Sequence, residues 1–248
     1  MLLELLSVGV LLMVIERLIP DQKLPRVPGW WMRVVIVNSL QLGVLLIAAL
    51  TWERWLGSAS VFHLAHHLAP PVAAFVVYLF LTFVYYWWHR VRHDSNFLWL
   101  TLHQLHHSAS RLETITSFYK HPLEILANAL IISLIGYGLF GLDASGAAFV
   151  TLYTGSAEFF YHMNIKTPRW VGYILQRPES HRIHHQRGRH YKNFADLPLW
   201  DIVFGTFENP HRYDGPCGFK PEREQRLVHM LLFRNVNGPY PPPKKPIA

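Results

Sequence analysis

PPVAAFVVYLFLTFVYYWWHRVRH, residues 70–93, is the stretch from which the architecture follows. Its first nineteen residues, Pro70 to Trp88, carry no charge, and about 20 apolar residues cross the hydrocarbon core of a bilayer as a helix. The run then passes without a break into His89-x-x-x-His93. Residues four apart share one helical face, so both imidazoles aim at one point. Neutral imidazole is the commonest protein metal ligand. A membrane helix ending in a histidine pair predicts metal chemistry at one end of a helical bundle.

Outward from this stretch, four more apolar runs read as spans: Leu2 to Ile19, Val34 to Trp52, Ile125 to Leu142 and Ala144 to Tyr161. The first carries Glu4, Glu16 and Arg17 near its ends, where charges can reach an interface. It has neither a basic leader nor a small-residue cleavage site and is not read as a removed signal peptide. Hydrophobic residues make up 51% of the 248 and charged residues 16%, against about 25% charged in ordinary soluble domains. The expected fold is an all-α integral membrane protein, a single domain over 1–248. It has four to five transmembrane helices and a cytoplasmic helical cap that carries a histidine-rich di-metal site. The cap is drawn from segments 89–122 and 162–235, and a Pro-rich tail follows over 238–248. The lone Cys217 excludes an internal disulfide, a cysteine zinc finger and an iron–sulfur cluster. No repeat and no Gly-rich dinucleotide fingerprint is present.

Lys and Arg number three after span one, one after span two and four after span three. There are none between spans four and five and fourteen from Met163 onward. This alternation places the N-terminus outside and the C-terminus in the cytoplasm. It accounts for the net charge of +7 without nucleic-acid binding. Trp30, Trp31, Trp52, Trp55, Trp87 and Trp88 fall at span ends, as in an aromatic belt.

The sixteen histidines fall largely into four clusters: His63, His66 and His67; His89 and His93; His103, His106 and His107; His181, His184 and His185. The last three clusters fall on the cytoplasmic side of this topology. The first repeats the H-x-x-H-H spacing but falls on the opposite side, so it is read as a decoy. Eight histidines exceed one tetrahedral zinc site and suit two metals. H-E-x-x-H is absent, and so is a pair of Glu-x-x-His motifs.

H-x-x-x-H at His89, H-x-x-H-H at His103 and H-x-x-H-H at His181 resemble the three boxes of the fatty acid hydroxylase/sterol desaturase superfamily. "SFYKHPLEIL" from Ser117, "EFFYHMNI" from Glu158 and "SHRIHHQRGRHYKNFADLPLWDIVFGTFENP" from Ser180 look like its bacterial and alkylglycerol-monooxygenase-like members. The resemblance covers about Tyr78 to Pro210, and Ala195 departs from it where many members carry Gly. It implies a membrane-bound non-haem di-iron oxygenase with His89, His93, His103, His106, His107, His181, His184 and His185 on two iron ions. Zinc is a possible substitute in recombinant protein.

His162, closing span five, is a ligand or an interfacial structural residue, and His121 a ligand or a support for one. His190 supports a ligand or the substrate pocket, or lies in a solvated loop. Glu158, inside an apolar span, and Asn164 and Asn193 are candidates to hold the far ring nitrogens of ligands. Trp200, Phe204 and Phe207 are expected to dock the cap. His211 and His229 read as surface residues.

The implied reaction is hydroxylation of a C–H bond in a lipid such as a sterol, fatty acyl chain or ether lipid. Desaturation and ether cleavage belong to the same chemistry. With no flavin or nicotinamide motif in the chain, electrons come from outside, from a ferredoxin or cytochrome with its reductase. The expected location is a bacterial inner membrane. The rival is a histidine-rich membrane zinc protein, a hydrolase or a metal transporter. Transporter ligands lie at mid-bilayer on broken helices, and here the histidines lie at span ends. The topology is tested by cysteine labelling: a cysteine at Ser58 or Ser60 is labelled from outside, and one at Ser110 or Ser180 only after permeabilisation. Labelling of both sets from one side removes the argument that His63, His66 and His67 are a decoy.

Overall fold

The structure is a computed structural model that describes residues 2–50, 56 and 60–238. Trp52, Arg54, Trp55 and Ser58, and the Pro-rich tail from residue 239, lie outside the described residues. The described chain is helical and holds no strand; a lone bridge joins Gln186 and Cys217. The principal helices are α1 (Leu2–Leu18), α2 (Trp30–Leu50), α3 (Pro70–Asp94), α4 (Gln104–Ser108), α5 (Pro122–Ser133), α6 (Ala144–His162), α7 (Pro178–His184) and α8 (Pro198–Val203). The five expected spans therefore appear as helices α1, α2, α3, α5 and α6. Helix α5 is prolonged by a π-helical turn, Leu134–Leu139.

Two helices, Pro70–Asp94 and Pro122–Leu139, are long and apolar enough to cross a bilayer. Helix α3 opens with two prolines in its first turn, where the missing N–H groups cost nothing. It has 25 residues, or about 37 Å at 1.5 Å per residue. Its buried face, Ala73, Ala74, Val77 and Leu81, packs with Val150 of α6. Its other face leaves Val72, Phe75, Leu79 and Phe80 exposed. Leu3, Leu6, Val10 and Leu11 on α1, and Val35, Ile36 and Leu40 on α2, are exposed too. Water-soluble surfaces do not carry such continuous apolar bands. Helices α1 and α6 meet through glycines: a Cβ on Gly9 would stand 2.9 Å from Phe159, and one on Gly155 2.7 Å from Leu5.

The two ends of α3 separate the histidines. His63, His66 and His67 precede its N-terminus, exposed beside the α5–α6 turn, where Val61 and Phe62 donate to the Leu139 carbonyl. His89 and His93 lie at the opposite end. There the segments 96–121 and 163–236 form an end layer. Trp200 Nε1 fixes it to Thr82 of α3 at 2.9 Å, and Phe204 stacks on Tyr86. Phe207 instead packs on Tyr173.

Charges near the end of α1 serve this layer. Fully buried Glu113 pairs with Arg17, takes Trp30 Nε1 at 2.8 Å and takes Arg111 Nε at 2.6 Å. Buried Glu16 accepts the backbone N–H groups of Thr114 and Asn164. Trp30, expected in the aromatic belt, is thereby turned inward, while Trp31 stays exposed. Removing one partner of a buried charge network costs about 3–5 kcal/mol. Glu113→Ala should lower unfolding stability in detergent by about that amount, and an unchanged midpoint would exclude Glu113 as the tie between α1, α2 and the end layer.

Candidate metal centre

Helix geometry brings the boxes together. The end of α3 carries His89 and His93. A π-helical turn, Trp99–His103, runs into α4 and carries His103, His106 and His107. His162 ends α6, and α7 with the residue after it carries His181, His184 and His185. These nine form two groups, His89, His93, His103, His107 and His184 in one and His106, His162, His181 and His185 in the other. Ligand atoms within each group lie within 4.8 Å of one another.

The two H-x-x-H-H boxes are used reciprocally. In each, the i and i+4 members share a face and a group, and the i+3 member turns to the other group. His103 and His107 thus join the first and His106 the second; His181 and His185 join the second and His184 the first. The rings of His107 and His185 stack at 4.2 Å where the groups meet.

Nitrogen contacts within the groups are close. In the first, Nε2–Nε2 separations are 3.0 Å for His89–His103, 3.1 Å for His103–His107 and 3.1 Å for His107–His184. In the second they are 3.3 Å for His106–His162, 3.1 Å for His162–His181 and 3.1 Å for His181–His185. His89 Nδ1–H donates to the Phe194 carbonyl at 2.7 Å, while His103 Nδ1 lies 3.0 Å from Glu124 Oε1 and 3.2 Å from Arg92 Nη1. A neutral imidazole has one N–H, so His89 Nε2 presents its lone pair to the other imidazoles of its group. Lone pairs gathered in this way are favourable when a cation lies among them. Metal–nitrogen bonds of about 2.0–2.1 Å give donor–donor edges of about 3.0–3.4 Å. The residues therefore fit metal ions, and an all-imidazole set suits iron as well as zinc, copper or nickel.

Electrostatics keep the imidazoles in the ligand form. Burial first, then neighbouring imidazoles and cationic side chains, pushes protonation of His103, His106, His107, His181 and His185 well below the usual histidine range. His184 is lowered to about 3 by the same burial.

Backbone carbonyls orient several rings. His184 Nδ1–H donates to Lys192 O at 2.8 Å, and His162 Nδ1–H to Glu158 O at 2.8 Å. With Phe194 O on His89, loop 192–194 thus holds one histidine of α3 and one of α7. Asn193, between those carbonyls, adopts the left-handed φ of 56°. Its amide donates to Ser180 O and Glu208 O and accepts from Glu208 N–H. Buried Asp201 accepts Phe194 N–H at 2.8 Å, Ala195 N–H at 2.9 Å and the Thr206 hydroxyl at 2.7 Å.

Nine of the ten predicted ligands are brought together; His121 is not. His121 caps α5 by accepting Leu123 N–H at Nδ1, 3.1 Å, and its Nε2 faces Leu231 O at 3.3 Å. Both of its ring nitrogens are used. Glu158 supports His162 through its backbone carbonyl, while its carboxylate takes both bonds of Lys120 Nζ at 2.5 and 2.6 Å. Asn164 touches no ligand histidine; it fixes Gln22 and takes Arg182 at 2.5 Å. His190 is buried against the His107 and Trp99 rings and donates to His184 O. Glu124, which lies 3.0 Å from His103 Nδ1 and pairs with buried Arg92, and Asp201 are among the few acids near the boxes in sequence, where Glu158 ranked above them.

The metal-side cavity adjoins a cleft among the helices: Tyr85, Lys120, Glu158 and Asp196 line both. A third cavity, toward α3, shares Asp196 as well. Asp196 is pushed up to about 7, first by burial and then by Glu158.

A fatty acid hydroxylase family profile matches residues 74–206, just over half of the chain and all nine grouped histidines. The chain belongs to the fatty acid hydroxylase family. It is 34% identical over 145 residues to human alkylglycerol monooxygenase, covering 56% of this chain and 31% of that protein. It is 28% identical over 173 residues to very-long-chain aldehyde decarbonylase GL1-4 of Oryza sativa subsp. indica, covering 64% of this chain and 27% of that protein. The chain thus spans less than a third of these relatives' length. No solved structure matches it. As a family member the chain would use these histidines for iron, and the nitrogen geometry accommodates it.

Metal analysis tests the grouping. His106→Ala and His184→Ala, one from each group, should each lower bound metal, while His121→Ala and the triple His63→Ala/His66→Ala/His67→Ala should not. Asn193→Ala, which frees the carbonyl loop, should weaken metal affinity by about 10–100-fold. Unchanged occupancy in both His106→Ala and His184→Ala would reject the paired centre.

Proposed function

We propose that this chain is a membrane-bound non-haem di-iron oxygenase that hydroxylates or desaturates a C–H bond of a lipid, using O₂ and external electrons. The observation that carries the reading is the pair of adjacent all-imidazole groups, in which His89, His184 and His162 give their Nδ1–H to backbone carbonyls so that their Nε2 atoms face inward. Iron held there supplies O₂ activation and C–H oxidation, with two electrons and two protons drawn from outside. His89, His93, His103, His107 and His184 would hold one ion, and His106, His162, His181 and His185 the other. The shared wall of Tyr85, Lys120, Glu158 and Asp196 sets the mostly apolar cleft beside the metal side, which supports that cleft as the place where a lipid chain binds. The carbonyl loop 192–194 keeps the rings fixed, so the centre is preorganised before substrate arrives.

The reading includes α1, α2, α3, α5 and α6 as five spans, with the histidine end on the cytoplasmic face of a bacterial inner membrane. Exposed Lys166, Arg169, Arg212, Lys220 and Arg226 in the end layer suit an acidic ferredoxin or cytochrome as electron donor. The lipid is a sterol, a fatty acyl chain or an ether lipid. Against the zinc-hydrolase rival, Glu124 and Glu158 beside the imidazoles are already paired with Arg92 and Lys120, which leaves Asp196 as the carboxyl that a hydrolase would have to use.

The test is turnover of extracted membrane lipids by iron-loaded protein with isotopically heavy O₂ and a ferredoxin reductant. Expected is a lipid product that gains the heavy oxygen, or a double bond, only when iron, O₂ and reductant are all present. Turnover by zinc-loaded protein without O₂ would overturn the reading in favour of a hydrolase.

A further inference from the structure

The cleft beside the metal side has a volume of about 130 Å³ and is lined by residues of α1, α2, α5 and α6, among others. It is mostly apolar, lined for example by Leu5, Phe118 and Ile132. Several polar groups on its wall are already engaged. Thr151 and Thr154 donate to the carbonyls of Ala147 and Val150 on their own helix. Tyr85 donates to Asn128 O, and Lys120 spends its ammonium on Glu158.

Gln41 differs. It sits well inside α2, eleven residues beyond Trp30, or about 16 Å along the helix. It lines the cleft, is 3% exposed, and its Nε2 has no hydrogen-bond partner. An amide donor buried among apolar helices without a partner is destabilising, because neither water nor lipid satisfies it. Polar side chains placed at such depth mark substrate pathways by default. Gln41 lies outside residues 74–206, the region that the family profile matches.

We propose that Gln41 is a specificity-determining residue that reads one oxygen atom in the substrate chain. The ligand class is an uncharged lipid bearing an ether, carbonyl or hydroxyl oxygen, which accepts from Gln41 Nε2 while the chain beyond it runs toward Lys120, Glu158 and the metal side. The inference rests on the reading of this cleft as the lipid site of an oxygenase. Along α6 the cleft extends from Glu158 to Thr151, seven residues, or about 10 Å. The oxygen and the reacting carbon therefore stand a fixed distance apart on the chain. A site built to bond a substrate oxygen rejects the analogue that lacks it, because the buried donor is then left bare.

The test uses binding, so it does not depend on turnover. Probes are dialkyl ethers of one chain length with the single oxygen moved along the chain, and the all-carbon chain as reference. Thermal-shift titration of the detergent-solubilised full chain reads affinity. Wild type should prefer one or two oxygen positions over the all-carbon chain by about 10–100-fold. In Gln41→Leu that preference should fall to within about threefold, and the all-carbon chain should bind at least as tightly as in wild type. Gln41→Met, close in length and flexibility, gives the same readout should the leucine variant fold poorly. Equal binding of all probes by wild type overturns the proposal, as does an unaltered preference in the variants. Loss of oxygenase activity with the binding preference intact would reject the oxygenase reading and leave the oxygen-reading role of Gln41 standing.

Discussion

Imidazole nitrogens held lone pair inward are the constraint on which the rest of this structure depends. His89, His184 and His162 each commit their one proton to a backbone carbonyl on the far side of the ring, so Nε2 faces the other imidazoles of its group. A cation among those nitrogens makes the arrangement favourable. The surrounding structure keeps the tautomers fixed. The Phe194 carbonyl must stay on His89, so loop 192–194 must stay in place. Asn193 and Asp201 achieve this with bonds to backbone groups on both sides of the loop. Trp200 and Phe204 then hold that layer on α3. The chain of dependence runs from aromatic docking to a carboxylate, from the carboxylate to a carbonyl, and from the carbonyl to a ring nitrogen.

The same geometry explains the spacing of the boxes. Consecutive histidines on a helix diverge by about 100°, whereas residues four apart converge. An H-x-x-H-H box therefore serves two points at once, two rings to one and one to the other. Two such boxes facing each other in opposite sense give three donors to each point. His89 and His93 raise the first to five, and His162 raises the second to four.

The sequence showed which histidines come together better than it showed what supports them. The box histidines were legible because helical spacing alone places them together, and His162 because it closes an apolar span. The separation of His63, His66 and His67 from the other clusters was legible from the length of the apolar run that forms α3. The division of neighbouring histidines between two points was not, since it depends on how α4 and α7 are rotated against each other. His121 looked like a ligand by residue type, yet its place before Pro122 makes it a helix cap with both nitrogens used. Glu158 and Asn193 were expected to hold ligands with their side chains. Backbone carbonyls hold them instead, and a carbonyl has no signature in sequence. Of five apolar runs, two stand as helices that meet the length and hydropathy needed to cross a bilayer. Helix α1 bends that pattern because Glu16 and Arg17 are drawn into the end layer rather than out to an interface.

Charge balance supplies the last step. The carboxylates nearest the imidazoles arrive already neutralised, Glu124 by Arg92 and Glu158 by Lys120. The imidazoles are themselves uncharged, because burial opposes their protonation. The wall of the site is therefore close to neutral, and the ligand set would cancel none of the charge of the ions it holds. A carboxylate-rich site would cancel much of it. Uncancelled positive charge in a low-dielectric cavity acts strongly at short range. It favours electron-rich small molecules at the centre and disfavours any cationic group on the substrate. In the neighbouring cleft Lys120 and Glu158 balance each other, burial pushes Asp196 toward its neutral form, and the side chain with an open donor on α2 is a neutral amide. A lipid that enters such a cleft is best recognised through a hydrogen bond rather than a charge, which is what Gln41 offers.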